Sequence, residues 1–378
     1  MEKKRIFVIN PGSTSTKIAL FENEQCLFRQ SLPVDTEAVK TMYKAVEQLP
    51  MRLAAVEDFI RENGIDFNTV DIIACRGGMI PPCRNLSGKE PEGVAFQVNR
   101  LMVDVVANFA QAQHAASLAC MIGLGLSERY GGIPCIIYDS VLSYEYCKEA
   151  QYTGLPGFMN NGSGHVLNGR IVSRKAAEKM GRNYEDCNFV LAHLGGGCTV
   201  QAHRRGKIID STYDVISPER LGRVQSIKLA ALCYSGKYTK SELDKMMTGG
   251  SGFIAYTGTS DCREIARRAE NGDETAAFMF DLMAYQLAKA IGEMAGALEG
   301  NVDRVVFTGG IANESMLMDK ILPKVRYLAP AEVIPGELEM EALAMGGQRV
   351  AMGLEKANEF NMIPEQFGTL EEFYDAIK

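Results

Sequence analysis

The apolar residues of the chain fall into short runs that repeatedly end in glycine-containing turns. The run at 5–9 leads into a polar turn at 10–17 (Asn-Pro-Gly-Ser-Thr-Ser-Thr-Lys), and a second apolar run follows at 18–21. The run at 189–194 leads in the same way into three consecutive glycines at 195–197. Short apolar runs bounded by turn signals are typical of buried strands. The pattern therefore predicts two strand–turn–strand units, separated by roughly half the chain.

Between and after these turns, predicted strands alternate with helices of 3.6-residue periodicity. Further strands are predicted at 70–74, 135–139 and 303–308, and helices at 39–63, 98–110, 111–130, 165–179, 240–247, 273–299 and 341–354. Another helix is predicted to start at Ser217-Pro218-Glu219-Arg220, since proline is favoured at the first helical position. The alternation of strands and helices indicates an α/β fold.

The three glycines at 195–197 remove every Cβ from a bend, so backbone amide groups can approach an anion such as phosphate. The turn at 10–17 adds hydroxyl donors and the cation Lys17. It is not a P-loop, because no helix-opening Gly-Lys-Ser/Thr follows the strand. A bulged hairpin whose glycines serve only backbone geometry is the alternative for either turn alone. The repetition favours a duplicated domain with a nucleotide held between the halves.

Polar residues at the ends of predicted strands and helices are candidates for chemistry. Arg76 could clamp a carboxylate or phosphate with its planar fork, although a turn arginine explains it equally well. Asp139 could orient a nucleophile or a metal-bound water, or simply start a turn. Asn10 could hold a metal-bound water or a phosphate, or form an Asx-turn. His114, near a helix start, could donate to an anion or serve as a cap.

Composition narrows the function classes. The 378 residues are 46% hydrophobic and 23% charged, with a net charge of −7, so neither nucleic acid nor an anionic membrane is expected as the main partner. The first apolar run is too short for a signal peptide, and no run reaches transmembrane length. Ten cysteines without a CxxC pair give little support for a zinc site and fit a reducing compartment. We therefore expect a cytoplasmic protein.

Eight stretches together resemble the butyrate kinases of the acetokinase family. They are Ile9 to Lys17, Arg76-Gly77-Gly78, Gln113-His114-Ala115, 192–197, 217–220, 258–264, 308–312 and 335–344, in the family's order. The resemblance implies an α/β fold of two duplicated actin-like ATPase domains, which are ribonuclease H-like, with a nucleotide cleft between them. The expected domains are 1–150 and 151–340, with the segment 341–378 packing back on the first.

The resemblance also implies an activity: reversible phosphoryl transfer between ATP and a short-chain carboxylate, giving an acyl phosphate and ADP. ATP or ADP and Mg²⁺ are the expected cofactors, butyrate is the expected acceptor, and a homodimer with an apolar interface near the helix 273–299 is the expected assembly. Positioning and charge neutralisation would supply most of the catalysis. The same site would run the reverse reaction.

Site residues carry over by their positions in the matching stretches. The catalytic residues implied are Arg76, Asp139, His114 and Arg220, with Arg76 on the carboxylate or the transferring phosphoryl group. Mg²⁺ would be held by Asn10 and Glu339. The nucleotide would be bound by Asn10, Gly12, Ser13, Lys17, His193, Gly195, Gly196, Gly197, Asp261, Arg263, Gly309, Gly310 and Asn313, with Asp261 and Arg263 on the ribose and adenine side.

The chain also departs from the family pattern. The family has an Arg-Lys pair where this chain has Asn160-Asn161, and the loop before Ser217 is about five residues shorter. Ala116-Ser117, Ser140 and Leu338 replace Ser-Asn, Pro and Asp. The departures leave open a relative that binds nucleotide with weak or no transfer, or one that prefers a branched or longer carboxylate. A sugar kinase or heat-shock-like ATPase is a third hypothesis, which the stretches 217–220 and 335–344 oppose.

Overall fold

The computed structural model describes residues 2–40, 42, 44–88, 91, 93–110, 114–140, 142–143, 145–160 and 162–378. Contacts divide the chain into two compact units. Unit 1 consists of Met1–Tyr144 together with Glu339–Lys378, and unit 2 is Glu145–Leu338. The C-terminal segment therefore belongs to the same unit as the N-terminal residues.

The strands and helices follow the chain in this order. The strands are β1 (Arg5–Pro11), β2 (Ser15–Glu22), β3 (Gln25–Pro33), β4 (Ile72–Arg76), β5 (Cys83–Asn85), β6 (Ala95–Gln97), β7 (Cys135–Tyr138), β8 (Leu142–Ser143), β9 (Gly162–Ser163), β10 (Asn188–Leu194), β11 (Cys198–Arg204), β12 (Lys207–Thr212), β13 (Arg304–Thr308), β14 (Ala331–Val333), β15 (Asn358–Glu359) and β16 (Met362–Pro364). The α-helices are α1 (Thr36–Lys40), α2 (Leu49–Glu62), α3 (Arg100–Phe109), α4 (Leu118–Arg129), α5 (Lys148–Gln151), α6 (Val166–Lys179), α7 (Ser226–Cys233), α8 (Lys240–Thr248), α9 (Phe253–Thr257), α10 (Cys262–Glu270), α11 (Glu274–Ala297), α12 (Ser315–Val325), α13 (Glu339–Ala351) and α14 (Leu370–Ala376).

Unit 1 is built on a seven-stranded sheet of order β15-β6-β7-β4-β1-β2-β3. The strand β1 pairs antiparallel with β2 and parallel with β4, and β4 pairs parallel with β7. Side chains alternate along β1: Phe7 and Ile9 join the core under α2 and α4, while Ile6 faces α13. A Cβ on Gly347 of α13 would lie 2.7 Å from Ile6 Cγ2. The glycine thus lets this helix lie directly on the sheet.

Unit 2 repeats the same local topology around a five-stranded sheet of order β12-β11-β10-β13-β14. The strand β10 pairs antiparallel with β11 and parallel with β13, as β1 does with β2 and β4. Val190, Ala192 and Leu194 face the core that contains the long helix α11. His193 points to the opposite face, where α6 packs. The α/β pattern of the sequence is thus confirmed twice.

Two predictions of local structure were wrong. Residues 217–220 do not start a helix, because Ser217 Oγ and the Glu219 amide both donate to the Gly196 carbonyl, at 2.6 and 3.3 Å, and an Ile216–Leu221 bridge closes the loop. The single helix predicted at 39–63 forms as α2 only from Leu49, after a 3-10 turn at Ala45–Gln48. The start of the predicted helix at 111–113 lies outside the described residues, and α4 begins only at Leu118 after a 3-10 turn. Within the described ranges, every helix is too short or too polar to cross a lipid bilayer.

A buried polar network braces α6 against β11 in unit 2. His203 is fully buried, and its Nε2 donates to Gln201 Oε1 at 3.1 Å. Its Nδ1 accepts hydrogen bonds from Tyr184 OH at 2.7 Å and from Ser173 Oγ at 3.2 Å. Burial, with a smaller contribution from the charge of Arg170, lowers the pKa of His203 to about 3. The ring is therefore neutral in the folded protein.

We predict that His203 makes the free energy of unfolding depend on pH. Between pH 6.5 and about 3 the unfolded chain protonates this imidazole and the folded chain does not, so stability is complete above pH 6.5 and is lost as the pH falls. The group contributes a slope of at most about 1.4 kcal/mol per pH unit. Replacing it with glutamine (His203→Gln) removes that slope, which urea unfolding from pH 7 to 4.5 measures. Parallel stability curves for the two proteins would contradict the assignment.

Candidate functional site

In unit 1, three side chains from distant parts of the sequence form one hydrogen-bonded cluster. Asn10 lies near the end of β1, and Arg76 is the last residue of the parallel neighbour β4. The carboxyl ends of parallel strands meet at one edge of a sheet, which brings the two side chains together. Arg76 Nη1 donates to Asn10 Oδ1 at 3.2 Å. Asn10 is only 4% exposed, so the contact lies in the interior of unit 1.

Glu339, the first residue of α13, completes this cluster. Its Oε2 accepts from Arg76 Nη1 and from Asn10 Nδ2, both at 2.9 Å, and its Oε1 lies 2.8 Å from Arg76 Nη2. The arginine fork and the carboxylate therefore pair in the two-bond geometry that makes such pairs directional. The side chains of Arg76 and Glu339 are 25% and 17% exposed. The cluster thus keeps an accessible positive and an accessible negative group.

His114 lies within the electrostatic reach of this cluster. Its Nδ1 accepts from the Ala116 amide at 3.1 Å, so the ring carries its proton on Nε2. Partial burial of the ring lowers the pKa of His114, the positive charge of Arg76 lowers it further, and the negative charge of Glu339 opposes the shift. At neutral pH the imidazole is therefore uncharged and available as an N–H donor.

Asp139 follows β7, the other parallel neighbour of β4, and is 4% exposed. Its φ of 47° lies in the left-handed region, which is strained for a non-glycine residue. The close approach of the two strand ends depends on Gly77, since a Cβ there would lie 2.4 Å from Ser140 Cα. The structure thus places the predicted Arg76 and Asp139 at adjacent strand ends.

The first glycine turn lies between β1 and β2. The Gly12 amide donates to the Ser15 carbonyl at 2.8 Å, and Ser13 at the tip is exposed. Lys17 pairs with Asn10 across the two strands, so both side chains lie on the same face of the sheet. The exposed ammonium of Lys17 therefore belongs to the same surface as the Asn10 cluster.

In unit 2, two histidines stack beside the second glycine turn. The rings of His193 and His165 are parallel, with centroids 3.8 Å apart and an interplanar angle of 10°. Burial, and to a lesser extent the charge of His165, lowers the pKa of His193 well below 6.5. A Cβ on Gly195 would lie 3.2 Å from His193 Nε2, so that nitrogen faces the glycine turn.

Asn168 sets the proton position on His193. Its Oδ1 accepts from the Leu338 amide at 2.9 Å, which turns its Nδ2 towards His193 Nδ1 at 3.0 Å. An amide nitrogen is a donor only, so Nδ1 accepts and the proton of the neutral ring is on Nε2. His193 therefore presents an N–H donor to the turn Gly195-Gly196-Gly197.

The remaining predicted residues of unit 2 have the following contacts. Gly309 has φ 89°, and a Cβ there would lie 2.2 Å from the Leu194 carbonyl oxygen, so only glycine fits between β13 and the end of β10. Asn313 Nδ2 donates to the Gly310 carbonyl at 3.1 Å. Asp261 caps α10 and forms an exposed ion pair with Arg263 at 3.0 Å.

Arg220 differs from its expected placement. Without the predicted helix at 217–220, its guanidinium contacts the carbonyl of Thr248 rather than the glycine turn. Glu219 occupies that position instead, with Oε2 3.5 Å from where a Gly196 Cβ would be. The sequence analysis did not identify His165 and Asn168 as site residues. Their i, i+3 spacing at the start of a predicted helix places them on the same helix face and could have indicated a shared role.

Comparison with known proteins places the chain in a family. The profile of the "Acetokinase family" matches residues 142–332. A protein named "Probable butyrate kinase 2" from Caldanaerobacter subterraneus subsp. tengcongensis is 38% identical over 355 residues, which cover 93% of this chain and 98% of the relative. "Butyrate kinase 2" from Clostridium acetobutylicum is 36% identical over 363 residues, covering 95% and 99%. The chain belongs to the acetokinase family. It is accordingly a carboxylate kinase, and the resemblance read from the sequence is confirmed.

Solved structures of an acetate kinase and a propionate kinase show the same fold. The acetate kinase of Porphyromonas gingivalis superposes with a TM-score of 0.75 at 20% identity, covering 92% of this chain and 99% of that one. A propionate kinase from Francisella tularensis gives 0.69 at 21% identity, with the same coverage. At these identities the likeness shows the fold alone. The predicted actin-like ATPase fold is thereby confirmed.

We predict that replacing Asn168 with aspartate moves the proton of His193. The carboxylate of Asn168→Asp accepts from Nδ1–H, and its charge raises the pKa of His193. Ring-nitrogen chemical shifts followed over a pH titration report both changes. The Thr308→Val variant, which removes another contact of Asn168 without adding charge, is the matched control. Unchanged ring-nitrogen shifts in Asn168→Asp would refute the assigned hydrogen-bond direction.

Proposed function

We propose that this acetokinase-family protein transfers the γ-phosphoryl group of ATP reversibly to a short-chain carboxylate, with butyrate as its preferred acceptor. The observation that carries the proposal is the Arg76 cluster, in which a partly exposed arginine at the end of β4 bonds Asn10 of β1 and Glu339 of α13. The names of the relatives support the choice of butyrate.

The reaction itself makes charge control the main task of the protein. A carboxylate oxygen attacks the γ-phosphorus in line, the bond to the β–γ bridging oxygen breaks, and an acyl phosphate and ADP result without net proton transfer. Two anions must meet, and negative charge spreads over the transferred group. Fixed positive groups and N–H donors therefore supply most of the rate enhancement.

The unit 1 residues would hold the acceptor and the transferring group. Arg76 would bind the carboxylate or the phosphoryl oxygens, exchanging part of its pairing with Glu339 for the substrate. The neutral His114 would donate its Nε2–H to the same oxygens. Asp139, which is buried directly after β7, would orient the acyl substrate or a metal-bound water. The role of His114 uses the proton position that its contact with the Ala116 amide sets.

Both glycine turns would hold phosphates of ATP. In unit 1, Asn10, Ser13 and Lys17 would contribute amide, hydroxyl and ammonium donors, and Gly12 would hold the turn closed through its amide bond to the Ser15 carbonyl. In unit 2, His193 Nε2–H and the amides of Gly196 and Gly197 would do the same, while Gly195 closes the turn through its own amide, which donates to the Gly197 carbonyl at 3.2 Å. Gly309, Gly310 and Asn313 would flank the nucleoside, Asp261 and Arg263 would meet its ribose and adenine side, and Arg220 would add positive charge.

The oxygen atoms of Asn10 and Glu339 fit a magnesium ion that takes most of its ligands from phosphates and water. They bond Arg76 in this structure, so the ion would bind them when Arg76 exchanges part of that pairing for the substrate. An amide oxygen and a carboxylate are hard ligands of the kind Mg²⁺ prefers, and such sites use only one or two carboxylates. Among the described residues, no group of three or more His, Cys, Asp or Glu residues could hold a metal by itself. When bound, the ion would neutralise charge on the phosphates, while Arg76 and Lys17 act directly on the reacting groups.

The test is a hydroxamate assay for acyl phosphate with ATP and Mg²⁺ across acetate, propionate, butyrate, isobutyrate and valerate. We expect activity to peak at four or five carbons, and Arg76→Ala to lower kcat/KM by about a thousandfold or more, since it removes a transition-state charge contact. Arg84→Ala, which changes an exposed arginine of unit 1, should retain activity.

A different outcome would favour the alternative hypothesis of a nucleotide-binding relative. If the protein binds ATP but forms no acyl phosphate, it is a nucleotide-binding relative that has lost transfer. The departure at Asn160-Asn161 would then be the first place to look. Asn160 donates to the Ala150 carbonyl at 3.3 Å, and Asn161 lies outside the described residues. Activity peaking at acetate would instead overturn the choice of acceptor.

We also propose that the protein forms a homodimer through α7. None of the residues of this mainly apolar helix is buried in unit 2; Ile227 is 84% exposed, and the adjoining Tyr234 is 92% exposed. The helix α11, near which the interface was expected, has 10 of its 24 residues buried in the core of unit 2, and Phe278 and Tyr285 on it are exposed. A second copy of this chain is the occupant that would remove the apolar face of α7 from water.

Replacing Ile227 with aspartate should therefore dissociate the dimer. Burying a carboxylate in an apolar interface is unfavourable, so Ile227→Asp should sediment as a monomer at concentrations where the unmodified protein is a dimer. Leu354→Asp, at an exposed apolar residue of unit 1, should remain dimeric. If the unmodified protein sediments as a monomer, the α7 interface is wrong.

A further inference from the structure

A buried arginine lies beneath the first glycine turn and takes no part in the cluster described above. Arg52 lies on α2, and only 1% of the residue is exposed. A guanidinium does not lose its proton in a protein, so a positive charge is fixed in the interior of unit 1. Burial lowers the pKa of this guanidinium, but the group remains positively charged at neutral pH.

All five N–H groups of Arg52 have acceptors, and most of these belong to the turn. Nη2 donates to the Gly12 carbonyl at 2.9 Å, and Nη1 to the Ser15 carbonyl at 3.3 Å and to Thr16 Oγ1 at 3.0 Å. The remaining two bonds, from Nε and Nη2, go to Gln48 Oε1 at 3.0 and 2.8 Å. The arginine thus draws the carbonyl oxygens at both ends of the turn inward.

Within the described part of the chain, no carboxylate pairs with Arg52. Its contacts there are neutral carbonyl, hydroxyl and amide oxygens. Removing a charge from water is costly, and a buried charge is ordinarily paired with an opposite one. The positive charge therefore remains available to an anion on the far side of the turn.

The far side of the turn presents donors. Ser13 and Thr14 at its tip are exposed, and no hydrogen bond from their amide groups is found within the described residues. Lys17 is exposed on the adjoining strand. With Gly12 and Ser15 carbonyls directed to Arg52, the outer surface of the turn combines amide and hydroxyl donors with positive charge.

We propose that Arg52 is a positioning residue for phosphate binding: it fixes the Gly12–Thr16 turn from below, and its unpaired charge strengthens the hold of that turn on a phosphate group of ATP. The inference rests on the proposed function for the identity of the ligand. It adds a residue that no substrate touches, acting through the backbone and through the local potential.

Gln48 allows the charge to be changed without removing the hydrogen bonds. In Gln48→Glu the new carboxylate still accepts from Nε and Nη2, but it neutralises Arg52. We expect the dissociation constant for ATP, measured calorimetrically without carboxylate, to rise about 3–10-fold, with a matching rise in KM for ATP and little change in kcat. The melting temperature should stay the same or rise, and affinity for adenosine should not change.

Two further variants separate charge from structure. Gln48→Met keeps the charge of Arg52 but removes its acceptor, so it should lower the melting temperature while leaving ATP affinity within about twofold, since the local potential is retained. Gln25→Glu adds the same carboxylate at the far end of the β2–β3 hairpin, roughly 23 Å along the strand, and should leave ATP affinity unchanged.

The outcomes distinguish this inference from the proposed function. ATP affinity that follows the melting temperature across the Gln48 variants, or is unchanged in Gln48→Glu, would overturn the role of Arg52 while leaving the kinase activity in place. Loss of adenosine binding equal to that of ATP would mean general distortion and would also overturn it. If Gln48→Glu weakens ATP binding but the unmodified protein forms no acyl phosphate, the role of Arg52 stands and the proposed acyl transfer fails.

Discussion

The pairing of Arg76 with Glu339 is the interaction on which the geometry of unit 1 depends. It joins the end of β4 to the start of α13, 263 residues later in the chain, and Asn10 of β1 bonds both partners. Because α13 also lies on β1 and β4, the same contact fixes the helix on the sheet and holds Arg76 in place. Removing either side chain would leave the charge of the other partly buried without its opposite charge, and this costs more free energy than the pair contributes. Fold and candidate site are therefore difficult to alter separately.

The two units place different polar groups at the same position of a shared strand arrangement. In each, a central strand has an antiparallel partner on one side and a parallel partner on the other. The sixth residue of that strand is Asn10 in unit 1 and His193 in unit 2, and each faces a helix that supplies its hydrogen-bond partner, Glu339 from α13 and Asn168 from α6. One position thus carries a charged cluster and the other a neutral imidazole with a defined proton.

Much of this arrangement could be predicted from sequence, because it depends on local signals. The strands that enter both glycine turns, the long helix α11 and the strand-end residues Arg76 and Asp139 follow from periodicity and from glycine placement. Arg52 could not be found, since a helical arginine looks like a solvated one until its contacts are known. The helix predicted at 217–220 failed because Ser217 and Glu219 bond the Gly196 carbonyl, a long-range contact that outweighs the local preference of proline.

The division of unit 1 between the two ends of the chain has a consequence for synthesis. Unit 2 is continuous and can fold as soon as its last strand leaves the ribosome, whereas the helix that carries Glu339 is made only afterwards. Until then the sheet face that contains Ile6 is uncovered, and Arg76 has no carboxylate from α13. A nascent chain would thus complete the contacts among Asn10, Arg76 and Glu339 only after all of unit 2 has been made.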